Sequence, residues 1–141
     1  MYYFAYGSNM NHIQMKKRCP DSRFITSGYI EEHTLVYDGK STTWNNQAVA
    51  NILLTGKRTD IVWGGIFEIN EDDLTALDRS EGYNNTPKNY NRKEIKTNLG
   101  HTAWVYFRIG KAQGEPSKKY RDTVITGADN CGLPNDYIAL L

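Results

Sequence analysis

A turn near the start of the chain carries residue types that can bind an anion or stabilise a developing negative charge. Met1 to Tyr6 reads as a short apolar strand that ends in Gly7-Ser8-Asn9, and a helix is predicted from about Asn11 to Arg18. Glycine allows crowded backbone conformations, and serine and asparagine cap free helix amides. N–H groups at such a junction point outward beside the positive end of the helix dipole. On local pattern alone, however, a strand end with a helix cap is the better interpretation.

A second candidate is Glu81, which stands directly before Gly82 at the predicted end of a helix. Asn70 is a natural N-cap, the acidic residues 71–73 favour the first turn, and glycine is a common stop signal. The negative end of the helix dipole and burial would both raise the pKa of Glu81, which makes a better base. The local sequence by itself favours a solvated helix end instead.

Composition limits the classes of partner. With 141 residues, 39% hydrophobic and 23% charged, the chain is predicted to be one domain spanning 1–141. The net charge of +1 does not indicate the strongly basic surface that is typical of nucleic-acid-binding proteins. The run Lys16-Lys17-Arg18 is explained as a solvated helix terminus that complements the dipole. No apolar run approaches the length of a membrane span and no leader is evident, so we expect no membrane association.

The cysteines and histidines give no sign of a metal centre. Cys19 and Cys131 have no close partner in the sequence, which suits a reducing cytoplasm, and buried small apolar residues are their default role. His12, His33 and His101 are scattered without ligand spacing. We therefore expect a cytoplasmic protein that binds no metal.

The order of predicted elements indicates an α+β domain. Several strands connected by short turns, with helices inserted between them, favour a mostly antiparallel sheet, open or closed. The segment Phe24 to Tyr37 is predicted as one long or bent strand, and a hairpin is predicted between the strands Ala48 to Thr55 and Asp60 to Ile69. The intervening polar segment, residues 38–47, carries Trp44, for which packing is favoured over lining a pocket. A helix is predicted from Ser117 to about Thr126.

The motifs, taken in order along the chain, resemble the gamma-glutamylcyclotransferases. The first motif is the most specific, and the likeness runs along nearly the whole chain without a large insertion. Its segments are Tyr3-Phe4-Ala5-Tyr6-Gly7-Ser8-Asn9-Met10, Ser41 to Trp44, Val62-Trp63-Gly64-Gly65, Leu77-Asp78 with Glu81-Gly82, Pro116-Ser117 to Tyr120, Gly127-Ala128, and Asn130 to Pro134.

The resemblance implies a small mixed, mostly antiparallel β-barrel with helices packed around it. It also implies an enzyme that needs no cofactor and acts in glutathione metabolism. The substrate's α-amine attacks its own γ-carbonyl and releases 5-oxoproline and a free amino acid. The family's catalytic glutamate matches Glu81, the general acid and base. Its substrate-binding residues match Tyr6, Gly7, Ser8, Asn9, Met10 and Tyr120.

This chemistry fits the residue types. An α-amine is largely protonated near neutral pH, and a carboxylate can take that proton and deliver it to the departing nitrogen. Donors in Gly7-Ser8-Asn9 could stabilise the charge that grows on the γ-carbonyl oxygen, or could hold the substrate's α-carboxylate instead. The sequence does not decide between the two.

Alternatives remain for the leaving group and for the function class. The same cyclisation could release an amine, as in gamma-glutamylamine cyclotransferases, or the fold could serve a non-catalytic small-molecule-binding or interaction module. The intact glutamate argues against the binding module, since such a protein needs no base there. The family includes dimers, which leaves a homodimer open.

Overall fold

The helices and strands lie close to the segments that the sequence predicts. The computed structural model describes residues 1–141. Four α-helices are present: α1 His12–Arg18, α2 Glu71–Glu81, α3 Lys118–Cys131 and α4 Asn135–Ile138. Short 3-10 turns span Ser8–Met10 and Thr42–Trp44. The strands are β1 Tyr2–Ala5, β2 Arg23–Glu31, β3 His33–Ser41, β4 Gln47–Leu54, β5 Ile61–Glu68, β6 Asn91–Lys96 and β7 Thr102–Phe107.

The strands form one five-stranded sheet and one separate pair. The larger sheet has the order β2-β5-β1-β7-β6, and β3 pairs only with β4. Strand β1 runs parallel to β7, and every other pairing is antiparallel. The prediction of an α+β fold with a mixed, mostly antiparallel sheet is therefore confirmed.

The prediction of a closed barrel is wrong, because the five-stranded sheet has two free edges. Strands β2 and β6 are its edge strands, and no ladder joins them. Asn98, in the turn after β6, exchanges hydrogen bonds with Tyr29 of β2 at 2.9 and 2.8 Å, but the strands themselves form no ladder. Strand β6 already ends at Lys96, which leaves too little extended chain beside β2 to continue the pairing.

Two further strand predictions are also wrong. The segment predicted as one strand from residue 24 to residue 37 is broken at Glu32, whose φ of 66° is left-handed. The break directs β3 away from the main sheet, where it pairs with β4. The predicted hairpin between β4 and β5 does not form, because β5 lies between β2 and β1 and both of its edges are occupied.

Helix α2 has its ends where the capping residues predict them. Asn70 accepts a hydrogen bond from the Asp73 N–H at 2.8 Å, and the Asp73 carboxylate accepts one from the Asn70 N–H at 3.1 Å. The other end is closed by Gly82, whose φ of 67° glycine adopts at little cost. Leu77 is fully buried and anchors the helix to the core. Glu81 is thereby fixed as the last helical residue.

Helix α3 continues five residues beyond its predicted end and packs against the first loop. Gly127 lies in this extension, where a Cβ atom would clash with the Asn11 N–H and approach the Met10 carbonyl carbon to 2.6 Å. Backbone can approach backbone this closely only at a glycine. The contact seats the loop that precedes α1.

We expect Gly127→Ala to lower the free energy of unfolding by about 1–3 kcal/mol, because the added methyl overpacks a rigid backbone contact. Urea denaturation monitored by circular dichroism measures the change. Gly114→Ala is the matched control: its Cβ would meet only the Ala48 Cβ at 3.6 Å, so we expect about 0.5 kcal/mol or less. Equal stabilities of the two variants would contradict the close contact.

Candidate active site

One cavity of about 80 Å³ brings together six of the seven residues predicted from the sequence. Its walls come from β1 and the loop after it, the last turn of α1, β4, the end of α2, β7 and α3. The six are Tyr6, Gly7, Ser8, Asn9, Glu81 and Tyr120. Residues that are far apart in the sequence therefore share one small cavity.

The seventh predicted residue, Met10, does not line the cavity. Its side chain is fully buried in the hydrophobic core, and its backbone lies against Gly127 of α3. Met10 therefore holds the loop in place from behind.

The loop of residues 7–9 offers backbone donors to the cavity. The Gly7 N–H donates to no acceptor in the protein. The Ser8 and Asn9 N–H groups open the 3-10 turn, where no earlier carbonyl of that turn can accept them. The turn is closed by hydrogen bonds from the Met10 N–H to the Gly7 carbonyl and from the Asn11 N–H to the Ser8 carbonyl, at 3.1 and 3.0 Å.

The side chain of Asn9 links this loop to Arg18 at the end of α1. Asn9 is buried, and its carbonyl oxygen accepts hydrogen bonds from Arg18 Nη1 at 2.8 Å and from Gln14 at 3.0 Å. Its amide nitrogen donates to the Tyr3 hydroxyl at 3.0 Å. The prediction that Arg18 belongs to a solvated helix terminus is wrong, because this contact turns the guanidinium into the cavity. No local sequence signal indicates it.

Glu81 enters the cavity as a half-buried carboxylate without a partner. Its oxygen atoms accept no hydrogen bond and form no ion pair within the protein. Burial raises the pKa of Glu81 to about 7, and the positive charges of Arg18 and Arg108 oppose this rise. The site therefore holds a carboxyl group that can both accept and donate a proton near neutral pH.

Three tyrosines around Glu81 use their hydroxyl protons elsewhere. Tyr6 donates to the Tyr106 carbonyl, and Tyr90 donates to the Ala50 carbonyl, each at 2.7 Å. Tyr106 donates to the carboxylate of Asp78 at 2.6 Å. Glu81 therefore gains no donor from these three neighbours, although all of them line the cavity.

Two other tyrosines keep a proton to donate. The Tyr3 hydroxyl accepts from Asn9, and the Tyr120 hydroxyl accepts from the Ala50 N–H at 2.9 Å. Burial and the nearby charge of Glu81 both raise the pKa of these two hydroxyls, so they stay protonated. The Tyr120 oxygen would lie 3.1 Å from a Cβ on residue 7, which makes glycine the residue that leaves it room.

A buried ion pair supports the wall behind Tyr90. Arg108 contacts the Asp38 carboxylate at 2.6 Å, and its guanidinium carbon lies 4.6 Å from the centre of the Tyr90 ring. Asn51 of β4 donates to the same carboxylate at 3.1 Å. These contacts fix β4 against β7 at the position where Ala50 bonds both Tyr90 and Tyr120. Sequence reasoning missed this pair.

Trp44 packs and also lines the cavity. Its ring meets the Tyr120 ring edge-to-face, with centroids 4.9 Å apart. The predicted packing role is therefore confirmed, and the indole also forms part of the cavity wall. Asn89, at the end of the loop that follows α2, also lines the cavity.

Outside the cavity, Cys131 Sγ lies 3.7 Å from His12 Nε2, and Lys93 Nζ lies 3.1 Å from His33 Nε2. No group of three or more His, Cys, Asp or Glu side chains is close enough together to hold a metal ion. Burial raises the pKa of both thiols, Cys19 and Cys131, to about 12, so neither is a nucleophile at neutral pH. None of the helices combines the length and the apolar character that crossing a membrane requires.

Comparison with a model of the AIG2-like family assigns the chain. The model matches residues 61–141, which is more than half of the chain and includes Glu81 and Tyr120. The chain belongs to the AIG2-like family. The cavity of this AIG2-like protein is thus built partly from the matched region and partly from the loop of residues 7–9 before it.

Individual relatives and solved structures agree with this assignment. The gamma-glutamylcyclotransferase of Homo sapiens is 29% identical, over 96% of this chain and 73% of the relative. The crystal structure of an uncharacterised Homo sapiens protein matches with a TM-score of 0.88 at 28% identity, over 99% and 84% of the two chains. A solved gamma-glutamyl cyclotransferase matches with a TM-score of 0.85 at 26% identity, also over 99% and 84%. The resemblance predicted from the motifs is confirmed.

The raised pKa of Glu81 predicts a pH-dependent effect on stability. The folded-state pKa of about 7 lies above the ordinary value of 4.5, so the folded protein favours the protonated carboxyl. This contribution is complete below about pH 4.5 and is lost as the pH rises through 7. Above pH 7 the buried carboxylate costs on the order of 1–3 kcal/mol.

We therefore expect Glu81→Gln to gain stability over the wild type, by on the order of 1–3 kcal/mol, between about pH 4 and pH 8. Urea denaturation across this range measures the gain. Glu71→Gln, at the exposed start of the same helix, should give no such gain. A difference between Glu81→Gln and the wild type that stays constant with pH would contradict the raised pKa.

Proposed function

We propose that this protein is a gamma-glutamylcyclotransferase that converts gamma-glutamyl amino acids into 5-oxoproline and a free amino acid. The observation that carries the proposal is the partnerless Glu81 carboxyl group, with a pKa near 7, beside unpaired backbone donors in one cavity. The similarity to relatives named gamma-glutamylcyclotransferase supports the same reaction.

Glu81 acts as the base and then as the acid. Its carboxylate takes a proton from the substrate's α-ammonium group, and the freed amine attacks the γ-carbonyl carbon of the same molecule. A five-membered ring forms, and the bond from the γ-carbon to the leaving nitrogen breaks. The protonated Glu81 gives its proton to that nitrogen. The ring nitrogen then loses its second proton through Glu81 to the departing amine, which leaves as an ammonium group. The attacking group belongs to the substrate itself, so the reaction consumes no water. A pKa near the working pH suits a group that must do both.

The cavity wall stabilises the charge that develops on the γ-carbonyl oxygen. The Gly7 N–H is free to donate, and the Tyr120 hydroxyl beside it keeps its proton available. Donors that are already fixed in place favour the transition state over the ground state. Enclosure also folds the substrate toward ring closure, and this orientation can be worth several kcal/mol.

The finer points stay predictions. An amino-acid leaving group is favoured because the relatives carry the name gamma-glutamylcyclotransferase. The buried thiols Cys19 and Cys131 suit the predicted cytoplasmic location. The place in glutathione metabolism, the homodimer and the absence of a cofactor remain predictions from the resemblance.

We expect purified protein to release 5-oxoproline from gamma-glutamyl amino acids, and Glu81→Gln to lower kcat by about 10²–10⁴-fold, because it removes the proton carrier. Mass spectrometry with a panel of gamma-glutamyl amino acids and gamma-glutamyl amines measures the product. Glu71→Gln, the same substitution at an exposed position on α2, should keep full activity.

The panel also separates the alternatives. Turnover of the amines alone would replace the amino-acid leaving group with an amine. Unchanged turnover in a folded Glu81→Gln variant would reject Glu81 as the proton carrier. A folded wild type without product from any panel member would favour the binding module.

A further inference from the structure

Arg18 is the only cationic side chain that lines the cavity, and Glu81 is the only anionic one. The Arg18 guanidinium is half-buried and forms no ion pair with any carboxylate of the protein. The other cavity-lining residues are neutral, and five of them are tyrosines. The cavity thus presents one separate positive group and one separate negative group.

The guanidinium is held in a fixed position but retains most of its donors. One Nη1–H bonds the carbonyl oxygen of Asn9, and no other hydrogen bond of this side chain is made within the protein. Asn9 is itself fixed by Gln14 and Tyr3. A guanidinium carries five N–H groups in a planar fork that matches a carboxylate, so a bidentate contact remains available.

The two opposite charges match the head of an α-amino acid. There, a positive amine and a negative carboxylate sit on the same carbon atom. Arg18 and Glu81 both line the same cavity, so the two groups face a common space. Resting on the proposed function, we propose that Arg18 binds the α-carboxylate of the gamma-glutamyl group.

This assignment gives each part of the substrate its own partner. The carboxylate lies at Arg18, the amine on the same carbon faces Glu81, and the γ-carbonyl oxygen is left to the Gly7 N–H and the Tyr120 hydroxyl. Arg18 then selects for substrates with an α-amino-acid head and leaves the departing group free to vary. The other source of a carboxylate is the departing amino acid, and a test must separate the two.

Binding of two lactams distinguishes the α-carboxylate from the carboxylate of the leaving group, and the measurement needs no turnover. The product 5-oxoproline carries the α-carboxylate but no leaving group, and 2-pyrrolidinone is the same ring without the carboxylate. We expect the wild type to bind 5-oxoproline about 10–100-fold more tightly than 2-pyrrolidinone, as measured by protein NMR titration. Arg18→Gln should remove most of this preference, and Arg18→Lys, which keeps the charge but loses the fork, should retain part of it.

Lys17→Gln is the matched control, since it removes the neighbouring charge of α1 at an exposed position without a side-chain hydrogen bond. This variant should keep the wild-type preference between the lactams. Equal affinity of the wild type for both lactams, or binding of neither, would overturn the assignment. A preference that survives in folded Arg18→Gln would overturn it too.

Steady-state kinetics then test whether Arg18 binds the carboxylate of the departing amino acid instead. Arg18→Gln should raise KM about 10–100-fold for gamma-glutamylalanine and for gamma-glutamylethylamide, which lacks a leaving-group carboxylate. It should leave KM for 4-aminobutyrylalanine, which lacks the α-carboxylate, nearly unchanged. A penalty confined to the two alanine compounds would overturn the proposal. Failure of the proposed function is distinct, because there the wild type itself makes no lactam.

Discussion

A half-buried carboxylate without a partner in the protein is the constraint on which the site depends. Glu81 would lose its proton at an ordinary pH if a neighbouring tyrosine or arginine donated a hydrogen bond to it. Tyr6, Tyr90 and Tyr106 donate no such bond, because their hydroxyl groups donate to backbone carbonyls and to Asp78 instead. Burial therefore raises the pKa of Glu81, and these three tyrosines give no hydrogen bond that would offset it.

The wall is supported by elements that lie outside the cavity. The ion pair of Arg108 with Asp38 fixes β4, and the Ala50 backbone then bonds two tyrosines of the wall. The positive charge of Arg108 also opposes the rise in the pKa of Glu81 that burial causes, although Arg108 forms no ion pair with Glu81. Helix α3 contributes on the other side by seating the loop of residues 7–9 through Gly127. The chemistry of one residue thus depends on contacts across both sheets.

Features encoded by adjacent residues could be predicted from the sequence, and features made by distant contacts could not. The capping residues Asn70 and Gly82 predicted helix α2 and the position of Glu81 at its end. The break at Glu32 was missed, since a glutamate carries no local signal for a left-handed residue. Arg18 was missed as well, because its orientation depends on a tertiary hydrogen bond to Asn9. The motifs predicted the family correctly. The closed barrel that the resemblance implied does not form, because the five-stranded sheet keeps two free edges.

Direct titration of Glu81 tests the central claim most simply. Protein labelled with ¹³C at the glutamate side-chain carboxyl groups gives one NMR signal for each residue, and Glu81→Gln identifies the signal of interest by its loss. The account predicts a titration midpoint near pH 7, as expected for a half-buried carboxyl group without a partner in the protein. A midpoint near the ordinary value of 4.5 would contradict it, since Glu81 would then be a solvated or hydrogen-bonded carboxylate.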